Sequence, residues 1–138
     1  MKKLVFIAAL LLLAGLSFGQ VLPKGTLIGT HIMTINLNTG VSMEEFIRFF
    51  TGKYLPEMNK VDPEWQMYLV KGVRGSINAD SYGLIHVIKS EEARSRFINP
   101  DGSRTEFFKS EIEKLQPIND ELSKFGSYTY QWTDWLVQ

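Results

Sequence analysis

The feature that most constrains this fold is a succession of strand-like and helix-like segments in the order β-α-β-β-α-β. The strand-like segments are rich in β-branched and aromatic residues, whereas the helix-like segments repeat apolar residues every three or four positions. Such a chain can pair its strands into one antiparallel sheet with both helices on the same face. The predicted strands cover residues 26–37, 65–73, 82–89 and 128–137.

Start and stop signals define the two helical regions. Ser42 and Glu45 form a capping box, and the apolar stripe that follows runs to Tyr54. Pro56 is predicted to end this helix because proline disrupts a helix interior. The signals of the second region are a cap at Ser90, a capping box at Ser103–Glu106, a kink at Pro117 and a stop at Gly126.

Length and charge limit the number of domains and the kinds of partner. A chain of 138 residues is typical of one domain. Lys and Arg together number 15, as do Asp and Glu, and no cluster of basic residues is present. Nucleic-acid binding is therefore not expected, because it requires a basic surface.

The N-terminus is typical of an export signal. Lys2 and Lys3 precede the apolar run 4–16, and the small residues Ser17 and Gly19 fit a cleavage site. The apolar run is shorter than the roughly 20 residues of a membrane-spanning helix. We therefore predict a signal peptide at 1–19, a single domain at 20–138, and a secreted or periplasmic protein with no membrane attachment after cleavage. The chain has no cysteine, so its stability must come from packing.

The segment order predicts an α+β, ferredoxin-like βαββαβ sandwich, with a four-stranded antiparallel sheet and helices on one face. The opposite sheet face is then left apolar and uncovered, which is unfavourable in water. A second copy of the chain can cover it, and the two sheets then close an α/β barrel. The residues predicted on this face are Ile28, Ile32, Gly83, Ile85 and Val87.

Two phrases carry a family resemblance that spans most of the chain. "HIMTINLNTGVSMEEF" (31–46) and "YGLIHVIKSEEARSRF" (82–97) resemble the dimeric α/β-barrel superfamily, including stress-responsive A/B-barrel and antibiotic-biosynthesis-monooxygenase-like proteins. The resemblance implies a homodimer and a cleft between sheet and helices. It leaves activity open, since the superfamily contains monooxygenases, haem-degrading enzymes, polyketide cyclases and members without known activity.

The catalytic sets of these relatives do not transfer to this chain. His31 resembles the first-strand histidine that lines the cleft of a polyketide cyclase, but Phe97 lies where that cyclase has catalytic side chains. The haem-degrading branch has a set of Asn, Trp and His residues on strand and helix. This chain resembles that set only at Asn36, because its tryptophans lie on other strands and no predicted helix carries a histidine. No cofactor is therefore predicted, and whether the protein is an enzyme stays undecided.

The chain has two histidines, and both are predicted on the helix-covered sheet face. If the first and third strands pair near their midpoints, His31 lies roughly opposite His86. The pair can be interpreted as an acid–base couple, as part of a metal site that lacks a third ligand, or as two cleft-lining or hydrogen-bonded core histidines. The last interpretation is preferred, and no metal is predicted.

The predicted function is binding of a small apolar or aromatic molecule between sheet and helices. The alternative is a cofactor-independent monooxygenase or polyketide-cyclase-type enzyme that uses the face of the two histidines. Aromatic residues of the last strand can either stack on a ligand or pack the core and the dimer seam. The candidate ligand-binding residues are His31, His86, Tyr54, Tyr82, Met33 and Phe97.

Overall fold

The computed structural model describes residues 22–75 and 81–138. The predicted signal peptide and residues 76–80 of the connection between the second and third strands lie outside the described residues. The strands are β1 Leu27–Leu37, β2 Trp65–Lys71, β3 Tyr82–Ile88 and β4 Gly126–Leu136. The helices are α1 Met43–Phe49, a π segment Phe50–Tyr54, α2 Leu55–Asn59, α3 Glu91–Ser95, α4 Glu106–Lys114 and α5 Gln116–Leu122.

The four strands form one sheet in the order β2-β3-β1-β4, and all neighbours are antiparallel. The helices pack on one face of this sheet, so the predicted ferredoxin-like βαββαβ architecture is confirmed. The resemblance stated from the sequence is thereby supported at the level of the fold. In the part of the chain described, no helix is long and apolar enough to cross a membrane.

The first helical region continues past the proline that was predicted to end it. Pro56 lies near the start of α2, directly after the π segment Phe50–Tyr54. The N–H of Leu55 bonds the carbonyl of Phe50, five residues earlier, so this turn is wider than an α-turn. Pro56 needs no hydrogen-bond donor in this first turn of a new helical segment, which is why it is accommodated there.

Two of the three predicted helix starts are confirmed. Ser42 and Glu45 make both bonds of a capping box, and Ser90 accepts from the N–H of Ala93. The box at Ser103–Glu106 is wrong, because Thr105 is the N-cap and accepts from the N–H of Phe108. Ser103 instead closes the preceding turn, where its hydroxyl lies 2.9 Å from the Asn99 amide nitrogen.

The core lies between the sheet and the first helical region. Phe46 and Phe50 have no exposed surface, and they pack against Met33 and Leu84 on the two central strands. Burial alternates along β1 and β3, which is the pattern of strands covered on one face. The helix-covered face is thus filled at this end of the sheet.

The register of β1 and β3 differs by two residues from the predicted one. His31 lies opposite Leu84, and His86 lies opposite Gly29. A shift by an even number of residues keeps every side chain on its predicted face, because sides alternate with a period of two. Both histidines therefore still point toward the helices.

Candidate functional site

A cavity of about 410 Å³ lies between the helix-facing side of the sheet and the helices. Every strand contributes to its wall, and α4 covers it with Phe108 and Ile112. Most of its lining is apolar or aromatic, with a few polar groups, which is typical of small-molecule sites. The predicted ligand-binding residues that line the cavity are His31, His86, Tyr54 and Phe97.

The other two predicted ligand-binding residues do not line the cavity. Met33 is buried in the core beneath the first helical region. Tyr82 pairs with Met33 across the strands, and the Lys71 ammonium lies 5.9 Å from the centre of its ring. The phenylalanines of the first helical region fill this end of the sheet, so the cavity is displaced toward the other end.

The two histidines stack on each other at the sheet surface. Their ring centroids are 4.0 Å apart with 21° between the planes, and Tyr130 stacks on the other side of His31 at 4.7 Å. Gly29 makes this possible, because a Cβ there would lie 3.0 Å from the Cβ of His86 and 3.5 Å from Nε2 of His31. The predicted pairing of His31 and His86 on the helix-covered face is confirmed.

The proton position on His86 follows from one hydrogen bond. The indole N–H of Trp65 donates to Nδ1 of His86 over 2.8 Å. Nδ1 is therefore the acceptor, and we assign the proton of the neutral ring to Nε2. That Nε2 is buried without a partner, as is Nδ1 of His31, among the side chains described.

Both histidines favour the neutral form. Burial, reinforced by the neighbouring His31, lowers the pKa of His86 to about 3. Burial also lowers the pKa of His31, while the carboxylate of Asp134 partly opposes this. His86 thus stays uncharged at neutral pH, where it accepts from Trp65 through Nδ1 and is not suited to shuttle protons.

The geometry does not suit a shared metal ion. Nitrogen lone pairs lie in the ring planes, and two stacked rings direct them along nearly parallel planes rather than toward one point. The Nδ1 lone pair of His86 is also already used by Trp65. Within residues 22–75 and 81–138, no group of three or more His, Cys, Asp or Glu side chains is arranged to hold a metal.

Two ion pairs neutralise the acidic side chains of the cavity wall. Nε of Arg94 on α3 lies 2.9 Å from the carboxylate of Asp134 on β4. The carboxylate of Asp62 lies 2.7 Å from the guanidinium of Arg96. Arg104 also lines the cavity, with its guanidinium 5.6 Å from the centre of the Phe108 ring.

Two tyrosine hydroxyls meet in another part of the cavity. The hydroxyls of Tyr54 and Tyr128 are 3.3 Å apart, and either can donate to the other. Tyr54 ends the π segment, which directs its ring against Phe50 at 4.9 Å between centroids. Burial raises the pKa of both phenols, so both stay protonated at neutral pH.

Sequence reasoning missed much of this wall. Alternation along β4 places Tyr128, Tyr130 and Trp132 on one side, and in the structure all three line the cavity, although none was among the predicted ligand-binding residues. The same alternation, continued two residues along β4, places Asp134 on this side too, so its position could have been predicted from the sequence. Trp65 and Arg104 carry no comparable signal, because their contacts depend on the register of β2 and on the turn before α4.

Comparison with known proteins gives distant structural similarities. No family model and no curated protein matches the chain. SnoaB, described as a cofactor-independent oxygenase from Streptomyces nogalater, is 14% identical with a TM-score of 0.45, covering 83% of this chain and 94% of that one. A dimeric protein of unknown function and ferredoxin-like fold from Bacteroides fragilis is 10% identical with a TM-score of 0.38, covering 82% and 97%.

Proposed function

We propose that this protein binds a small apolar molecule, aromatic in part, in the cavity between sheet and helices. The observation that carries the proposal is the cavity itself, which all four strands and α4 line mostly with apolar and aromatic side chains, together with the stacked pair His31 and His86.

The rest of the cavity fits the same role. A volume of about 410 Å³ lies within the usual range for small-molecule pockets, roughly 300–1,000 Å³. Aromatic rings of Trp65, Phe108 and Tyr130 contribute flat walls on which a ring of the ligand can stack. The bound molecule is thus recognised by shape and by a few fixed hydrogen bonds.

Extraction of the purified protein followed by untargeted mass spectrometry tests this proposal. We expect a small molecule to be released from the wild type and lost from an Ile112→Trp variant, in which the larger side chain fills the cavity. Val73→Trp places the same side chain at an exposed position outside the cavity and serves as the control. Release of the same compounds from Ile112→Trp as from the wild type contradicts the proposal.

A second candidate function is that of a cofactor-independent oxygenase or cyclase that uses His31 as a general base. The observation that favours it is the position of His31 in the cavity wall, on a ring whose pKa is lowered by burial and which has the Asp134 carboxylate nearby. Oxygen uptake with anthrone as substrate, compared between the wild type and His31→Phe, tests it. Equal uptake by both proteins excludes this role for His31.

We also propose that the chain forms a homodimer through the uncovered sheet face. Ile32 is 42% exposed and Tyr68 53% exposed on this face, and Val70 and Trp135 are exposed beside them. A contiguous apolar surface of this kind is typical of an interface. A second copy is the simplest partner, because a twofold axis brings each face against its own equivalent.

We further propose that the protein is exported and processed before Gln20, to the periplasm or the medium. The support is the charged and apolar pattern of residues 2–16 with small residues at 17 and 19. Mass spectrometry of the protein recovered outside the cytoplasm tests this, with a chain that begins at Gln20 as the expected result. Recovery of the chain with Met1 intact contradicts it.

A further inference from the structure

One charged side chain of the cavity wall has no ion-pair partner among the described residues. The carboxylates of Asp62 and Asp134 are each paired with an arginine, at 2.7 Å and 2.9 Å. Both histidines are neutral at physiological pH. In the part of the chain described, Arg104 is the cation of the cavity wall for which no carboxylate partner is found. The lining residues Asp62, Asp134, Arg94 and Arg104 sum to zero charge, but Arg104 is left available to an anionic ligand.

Some hydrogen-bond donors of the cavity wall also lack an acceptor. When one hydroxyl of the Tyr54–Tyr128 pair donates to the other, the second hydroxyl keeps its hydrogen for another acceptor. The Nε2–H of His86 also lacks an acceptor among the described residues. The donors of this wall that lack an acceptor among the described side chains thus include the Arg104 guanidinium and one tyrosine hydroxyl, and a ligand that supplies acceptors fits them.

The unused cation and the unused hydroxyl line the same cavity. Burial is the main reason that the pKa of Tyr54 and Tyr128 is raised, and the Arg104 cation acts on both phenols in the opposite direction. The Arg104 side chain is held over the ring of Phe108, which roofs the cavity on α4. A guanidinium and a pair of phenol hydroxyls that line one cavity are together suited to bind a carboxylate.

We infer that the ligand is an apolar carboxylic acid, with its carboxylate bound between Arg104 and the Tyr54–Tyr128 hydroxyl pair and its apolar body against the aromatic wall. This inference rests on the proposed function, because it specifies the chemical class that the cavity accepts. A cationic ligand is disfavoured, because both acidic side chains of the wall already have cationic partners.

A matched pair of probes tests the inference on the full-length protein. The probes are 2-naphthoate and 2-naphthamide, which share one ring system and differ in charge, and binding is measured by isothermal titration calorimetry at pH 7. We expect the acid to bind the wild type about tenfold or more tighter than the amide, as for charge-assisted hydrogen bonds. In Arg104→Gln, the two probes should bind with nearly equal affinity.

Arg48→Gln is the control, because Arg48 is an exposed cation on α1 that does not line the cavity. It should keep the wild-type preference for the acid. The inference is overturned if the wild type binds the amide as tightly as the acid, or if Arg104→Gln still binds the acid more tightly than the amide. Binding of the amide alone overturns the inference but leaves the proposed function standing. If neither probe binds the wild type, the proposed function and the inference both fail.

Discussion

Trp65 and His86 are joined by a hydrogen bond of 2.8 Å from the indole nitrogen to Nδ1, and this bond sets the chemical character of the cavity. It holds His86 in the neutral form with the proton on Nε2. The same ring is stacked 4.0 Å from His31, so a positive charge on either ring disfavours one on the other. The pair is thus built to remain uncharged.

Stability should fall as the solution becomes acidic, well before the carboxylates titrate. The pKa of His86 is about 3 in the folded protein and about 6.5 when unfolded, so the unfolded chain binds the extra proton first. Stability is therefore complete above pH 6.5 and declines as the pH falls toward 3. Between pH 7.5 and 5 we expect the free energy of unfolding to drop by about 2 kcal/mol from His86. Urea denaturation across this range measures it.

His86→Gln is the control for this pH dependence. Glutamine can accept from Trp65 but does not titrate, so the decline between pH 7.5 and 5 should become much shallower. The smaller contribution of His31, whose pKa is also lowered, acts in the same direction and should remain. A wild type whose stability is constant across this range shows that His86 is not held neutral.

Gly29→Ala should disturb the histidine stack. The new Cβ lies 3.0 Å from the Cβ of His86 and 3.1 Å from a carboxylate oxygen of Asp134, both closer than ordinary contacts. We expect a loss of about 1–3 kcal/mol in the free energy of unfolding, the usual cost of overpacking. Thermal and urea denaturation measure this loss.

Gly52→Ala is a matched control for Gly29→Ala. A Cβ at Gly52 meets no atom within 4 Å, and this residue lies in a helical segment. Alanine there should leave stability unchanged or raise it by up to about 1 kcal/mol, since glycine is a poor helix residue. If the two substitutions have equal effects, close packing around Gly29 is not what keeps the stack in place.

The strand order was predictable because it depends on local patterns. Periods of two and of three to four positions in the apolar residues identify strands and helices without knowledge of their partners. The same alternation placed His31 and His86 on one face, and the two-residue error in register did not change that face. Pro56 was misjudged because a π segment precedes it, and such a turn has no clear sequence signature.

The cavity was not predictable in the same way. It depends on how the turn before α4 positions Phe108 and Arg104, and no periodic pattern encodes that placement. The Trp65–His86 bond joins residues that are diagonal neighbours on adjacent strands, because His86 lies directly opposite Met67. A pair of this kind becomes visible only when the register is known.

Ile32→Asp should prevent the proposed dimer. A carboxylate in the middle of an apolar interface is strongly disfavoured without a partner. Analytical ultracentrifugation at micromolar concentration should show a dimer for the wild type and a monomer, or aggregates, for the variant. Val73→Asp, at a residue 81% exposed beyond the end of β2, should remain dimeric. A well-folded wild-type monomer contradicts the proposal.

Trp65→Phe should make the Nε2–H tautomer of His86 less strongly favoured. Phenylalanine keeps an aromatic ring against Phe97 but removes the N–H that Nδ1 of His86 accepts. We expect the free energy of unfolding to fall by about 1 kcal/mol and the pKa of His86 to rise above its wild-type value. Histidine titration by NMR compares the two proteins. Identical titration of His86 in both shows that the indole donor does not control its protonation.

The nitrogen NMR spectrum of His86 tests the central claim most directly, that the cavity wall holds this residue as a neutral imidazole with its proton on Nε2. Long-range proton–nitrogen correlation on the wild type at pH 7 and at pH 5 distinguishes the two tautomers and the cation. We expect the Nε2–H tautomer at both pH values, and an Nε2 signal that moves when 2-naphthoate is added. A proton on Nδ1, or a ring that becomes charged near pH 6.5, contradicts it.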